Sequence, residues 1–228
     1  MADAQWTRAT YMSQARAQAD AASSDRWSDT DVKYALGLVH TREWKRILNA
    51  NNVWRYAQRT IAQDSTGLIT LASLDSGTGD SQQRAYRVLD VAQDATVYNE
   101  IRFADAPTAV TVGGFPGTYV WYRVGTNIQI LPAQSGVSMT VWVNHLPTPI
   151  DQLSLDTVAV EFPRDYESLI AYETAAWLLV KGGAETDSAH ALQQMAEQIR
   201  GDMLGDLTRE GIAPIRMSYP DRASAWGG

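Results

Sequence analysis

The period of the apolar positions changes twice along the chain, from helical to strand-like and back to helical. Residues from about Ala4 to Ala22 are rich in Ala, Gln and Arg with few breakers, which predicts a first helix. The stretch RWSDTDV opens a second. Ser28 is placed as its N-cap with Asp31 three residues on, and Trp27 and Val32 take the positions of a hydrophobic staple. Within this helix Val32, Ala35, Leu36, Val39 and Ile47 form one stripe, while Tyr34, Leu38, Trp44 and Leu48 fall around the rest of the circumference. One core cannot cover every one of them. The second apolar face needs another segment of the same chain or a neighbouring subunit, so Tyr34, Leu38, Trp44 and Leu48 are the candidate inter-subunit residues.

After NANN at 49–52 the period becomes two. Short strands are expected near 53–62, 84–91, 96–103, 118–124, 127–131 and 137–144, separated by Gly, Asp, Ser and Pro clusters. In VSMTVWVN, Val137, Met139, Val141 and Val143 alternate with Ser138, Thr140, Trp142 and Asn144, and TYVWYRV-GT-NIQIL reads as a hairpin with Gly125 in its turn. A small antiparallel sandwich or barrel follows.

Pro147, Pro149 and Pro163 then carry the chain irregularly out of the sheet. Helix resumes at about Asp165, a candidate N-cap, with Leu169, Ile170, Tyr172, Ala176, Trp177 and Val180 as the buried side of a core helix. Past Gly182 and Gly183 a further helix runs from about Asp187 to Arg209, its stripe drawn through Leu192, Met195, Ile199, Met203 and Leu207. Gly201 and Gly205 inside it either admit another helix closely or are two tolerated glycines near a fraying end. The fold class is therefore α+β, a body of about four helices with an inserted small antiparallel β unit. The expected domains are an N-terminal helical part at 1–52, the β insert at 53–150, a linker and second helical part at 151–210 packing with 1–52, and an extended tail at 211–228.

Composition narrows the function more than it defines one. Formal net charge is -7 with no Lys/Arg block, which argues against gripping nucleic acid through its phosphates. The chain has no cysteine, so disulfides and thiolate metal sites are impossible. The start MADAQWTRAT lacks the features of a secretory signal, and AAWLLV at 175–180 falls far short of the ~20 residues of a membrane span. A soluble protein is expected.

Candidate chemistry is sparse. His40, His145 and His190 have no second ligand at metal spacing, and each is read as a surface or satisfied structural residue. VGGFPG at 112–117 lacks a lysine, and in LVKGG at 179–183 the lysine precedes the glycines at a helix end, so neither is a phosphate loop. No nucleophile elbow or metalloprotease motif is present, and neither enzymatic activity nor a cofactor is expected. Trp121, Tyr122 and Trp142 lie on predicted strands, where aromatics stack on sugars or pack a core or interface; packing is the favoured reading, and a carbohydrate- or receptor-binding β module is the alternative function.

The order of these parts, with the W-S-D helix start at Trp27 to Asp29 and the helix opened by FPRDYESLIAYETAAWLL, resembles the head-to-tail connector, or adaptor, proteins of tailed bacteriophages over about 1–210. The resemblance implies a structural virion protein of the neck, assembled in the host cytoplasm. It implies about twelve copies closed into a ring beneath the portal, with a neck, stopper or tail protein below and double-stranded DNA passing through without specific binding. An acidic chain is compatible with a channel through which DNA slides. The β insert of close to ninety residues is larger than in a minimal adaptor.

The last eighteen residues, GIAPIRMSYPDRASAWGG, have no period of their own yet hold Ile212, Ile215, Met217, Tyr219 and Trp226. Pro214 and Pro220 favour an extended course, with a reach of roughly 60 Å. Two arginines against one aspartate give the segment a charge opposite to that of the whole chain. It is read as a docking strap with these five side chains as anchors, or as a strap folded back on its own subunit. The resemblance makes the portal its partner.

Overall fold

The computed structural model describes residues 5–19, 26–51, 55–103, 119–182 and 186–210. The tail anchors Ile212, Ile215, Met217, Tyr219 and Trp226, and the VGGFPG stretch, lie outside the described residues. The chain divides into two compact units, Met1–Trp54 with Phe162–Gly228, and Arg55–Glu161.

Among the described residues the first unit holds four helices: α1 (Arg8–Gln18), α2 (Asp29–Ala50), α3 (Glu167–Lys181) and α4 (Thr186–Glu210). Thr7 caps α1 by accepting from the Thr10 amide, and Ser28 caps α2 by accepting from the Asp31 amide at 3.2 Å. Trp27 and Val32 are both buried beside that cap. Arg16 donates to Asp29 at 2.6 Å and to the Trp27 carbonyl at 3.1 Å, which fixes how the start of α2 meets the end of α1. α3 packs against all three other helices, with Leu169, Ile170, Ala171, Ala175, Ala176, Leu178 and Leu179 buried.

Three sequence expectations change here. The stripe on α3 rotates, because contact on several sides buries Leu178 and Leu179 and leaves Val180 60% exposed, with Tyr172 and Trp177 partly exposed. Asp165 is not the N-cap; it sits at φ +70 one residue before Tyr166, which caps α3 without a side-chain bond. On α4 the buried row is Ala189, Leu192, Ala196, Arg200, Met203 and Leu207, whereas Met195 is half exposed. An arginine takes a place that apolar periodicity assigned elsewhere, because its partner waits on α2.

The second unit is a single seven-stranded sheet in the order β1-β7-β3-β4-β5-β6-β2. Its strands are β1 (Tyr56–Ala62), β2 (Leu68–Thr70), β3 (Arg84–Gln93), β4 (Thr96–Glu100), β5 (Val120–Val124), β6 (Asn127–Leu131) and β7 (Ser138–Leu146). The hairpin at Gly125 forms as the sequence indicates, with Gly125 at φ +59 and Val124 opposite Asn127. The sheet is mixed rather than purely antiparallel, since β4 and β5 run parallel, Asn99 opposite Val120. It also curls on itself instead of forming a two-layer sandwich. Ile69 from one end of the strand order and Met139, Val141 and Val143 from near the other share one core cluster with Val91, Tyr98, Ile128 and Ile130. Register shifts on β3 between Ala85 and Arg87 and between Val88 and Asp90 supply the local bends. Gly67, at φ +73, closes the β1–β2 turn where a Cβ would come within 2.4 Å of the Ile130 carbonyl oxygen, so only glycine fits.

Candidate functional site

The exposed outer side of α2 and the adjoining strip of α3 form the most distinctive surface of the helical unit. Tyr34 and Leu38, one turn apart on α2, are 54% and 47% exposed. Tyr34 meets the Trp177 ring edge-on with centroids 6.3 Å apart, and Lys181 Nζ lies 5.1 Å over the same indole. Ion pairs frame this apolar seam at either end: Lys181 with Asp31 at 2.7 Å, and Arg42 with Glu173 at 2.5 Å. The Lys181 bond and the Ser28 hydroxyl hold the Asp31 carboxyl below the usual carboxylate range. Large apolar side chains rimmed by charge here form an exposed apolar patch.

Of the four inter-subunit candidates, only Tyr34 and Leu38 belong to this surface. Trp44 is 2% exposed; it packs edge-on to Phe162 at 6.1 Å and donates from Nε1 to His40 Nε2 at 3.1 Å. Leu48 is likewise buried. α2 contacts α1, α3 and α4 at once, so more of its circumference is covered by its own unit than a single stripe implies. That partner set removes Trp44 and Leu48 from the candidates.

Beneath the seam lies an ionic network that sequence reading missed. Glu43, fully buried on α2, receives Arg200 Nε at 2.8 Å and Arg200 Nη2 at 3.2 Å, with Arg46 at 2.9 Å and Arg42 Nε at 3.2 Å. Arg200 also bonds Glu173 on α3 and pairs with Glu197 on its own helix. Burial works against the Arg200 charge, but the Glu43, Glu197 and Glu173 carboxylates outweigh it and raise its pKa above the ordinary guanidinium range. The network ties α2, α3 and α4 together by direction-specific bonds. Every carboxylate in it already accepts from an arginine.

The aromatic trio of the β unit is split. Trp121 is 2% exposed inside the core, whereas Tyr122 and Trp142 are half-buried positions next to inward-facing neighbours on their strands. β3 and β4 stand between β5 and β7, placing Tyr122 and Trp142 about 14 Å apart at normal strand spacing, too far for one sugar ring. A cavity of ≈ 40 Å³ lined by Leu71, Arg87, Val88, Glu100, Trp121, Arg123 and Ile128 has room for a few water molecules at most.

His40 and His145 are buried and His190 is exposed. His145 Nε2 lies 3.0 Å from the Leu74 carbonyl, which makes it the protonated nitrogen of a neutral ring. Burial lowers its pKa below the usual imidazole value, reinforced by Arg59 and Arg55. At Gly201 and Gly205 an added Cβ would meet nothing within 4 Å, so no helix of the same chain approaches them among the described residues. Among the described residues no group of three His, Asp or Glu side chains is placed to hold a metal, and no helix is long and apolar enough to cross a membrane.

Fold and surface together define an α+β chain whose helical unit carries an apolar contact seam. No family model matches the chain, and no curated protein is similar enough to match it.

Proposed function

We propose that this chain is a structural, non-enzymatic head-to-tail adaptor of a tailed bacteriophage. About twelve copies form a ring beneath the portal, extend the DNA channel and hand over to a neck or tail protein below. The observation that carries the reading is the exposed seam of Tyr34, Leu38 and Trp177, framed by ion pairs on the helical unit. Repetition of one such contact by rotation closes a ring. Supporting it are the helical, β, helical order of the chain and the apolar anchors of 211–228, which on this reading engage the portal. A net charge of -7 favours a conduit that lets DNA slide over one that holds it.

The test is co-expression with the portal protein encoded in the same genome. The adaptor is expected to co-purify with it as a ring, and to lose the portal when 211–228 is deleted while the remaining chain stays folded. A full-length chain that stays monomeric and ignores the portal would sink the proposal.

A further inference from the structure

We propose that the outward row of α2 on one copy docks along the outward row of α4 on a second copy, an inference that rests on the adaptor reading and names the two faces of its ring contact. The α2 row is Tyr34, Leu38, Thr41 and Lys45, set at alternating spacings of four and three residues. The α4 row is Ala191, Gln194, Gln198, Gly201 and Gly205, at the same alternation. Rows with this spacing stay in register along two helices crossing at a shallow angle.

The two rows are complementary in shape. Tyr34 and Leu38 project large apolar groups, half exposed, from α2. Gly201 and Gly205 offer bare backbone with open space in front of it, and Met195 lies half exposed on the flank. Among the described residues nothing uses that space.

They are also complementary in charge. Lys45 and Arg42 are exposed on the α2 side, with Lys33 and Arg46 half buried beside them; Asp29 and Asp31, in the first turn of the helix, pair with Arg16 and Lys181. On α4 the exposed charges among the described side chains are Asp187, Glu197, Asp202 and Asp206, while its one described arginine, Arg200, is buried. Some of these groups already have partners: Arg42 and Arg46 meet Glu43, Glu197 meets Arg200, and Asp206 accepts from Tyr166. Past its first turn the α2 face is basic and the α4 face is acidic, an opposition that steers encounter and register. Since a basic aromatic face meets a different, acidic and small one, the contact is heterologous. Each copy keeps one of each face free for the next, which is what a closed ring requires.

Two variants of the full-length chain separate the faces. Leu38→Asp spoils the α2 face, and Gly205→Trp fills the α4 face; both positions face solvent, so each variant should melt within a few degrees of wild type. If Gly205→Trp fails to fold, Asp202→Lys takes its place. By light scattering after size exclusion, wild type is expected as a multimer and each variant alone as a monomer. The equimolar mixture should form a one-to-one heterodimer and stop there, because the pair keeps one intact contact and no free competent face. A Gly205→Trp or Leu38→Asp chain that assembles as wild type does, or a mixture that stays monomeric, overturns the pairing while leaving the adaptor reading standing. A wild-type chain that is monomeric at every concentration, with or without portal, overturns both.

Discussion

In the helical unit Glu43 lies fully buried among three arginines, whereas the β unit closes around Ile69, Tyr98, Trp121, Ile130 and Met139 and keeps its buried His145 neutral. Both solutions hide polar chemistry from water, but they do different work. Apolar burial is non-directional and scales with area, so the curled sheet gains cohesion wherever its inner face is filled. A charge network contributes little net stability over an apolar replacement, yet it fixes which turn of α4 faces which turn of α2 and α3. The unit that carries the candidate contact rows is thus the one whose helices are set by directional bonds.

The most disruptive change to this contrast is Arg200→Met. It leaves Glu43 buried with only the half-exposed Arg42 and Arg46, and is expected to cost about 3–5 kcal/mol. Hydrogen exchange resolved along the chain should place that loss in the helical unit; the same loss in β3 and β7 would break the separation. Next comes Met139→Ala, which empties part of the sheet core at about 2–5 kcal/mol by urea denaturation. Unlike the first, this loss should be the same at low and high salt, since no charge is involved.

A smaller effect distinguishes the two units by pH. His145 has a folded pKa below the 6.5 of the free ring, so the unfolded chain binds a proton that the folded one refuses. Its contribution is therefore complete above about pH 6.5 and is lost as pH falls from there toward the folded pKa. The midpoint of β-unit unfolding should drop over that interval in wild type and drop less in His145→Gln. Smallest is Ser28→Ala, which removes the α2 cap for about 1 kcal/mol and should leave the β unit unchanged in the same exchange experiment.

What was legible in the sequence follows the range of the interaction. The Ser28 cap and the Gly125 hairpin rest on contacts between near neighbours and most strands show a local alternation, so the sequence places them well. β2, only Leu68–Thr70, is too short to show alternation and passed unnoticed. Trp44 falls among the subunit-contact candidates because a helical wheel cannot count partners: α2 meets three other helices, and Phe162 packs edge-on to the indole. Arg200 escaped notice for the same reason in reverse: its carboxylate lies 157 residues away, and an arginine interrupting an apolar stripe reads as surface. The parallel pairing of β4 with β5 joins strands about twenty residues apart, and the alternation within each strand does not say which way its partner runs. Alternation separates Met139, Val141 and Val143 from Ser138, Thr140 and Trp142, and the first three line the sheet's core.

The central claim is that this chain assembles with copies of itself into a ring that binds a portal. The most direct measurement is the mass and symmetry of the complex formed by the full-length chain with the portal from the same genome, by native mass spectrometry and electron microscopy. The account predicts a closed ring of about twelve copies seated on the portal. A chain that remains monomeric beside an empty portal would contradict it.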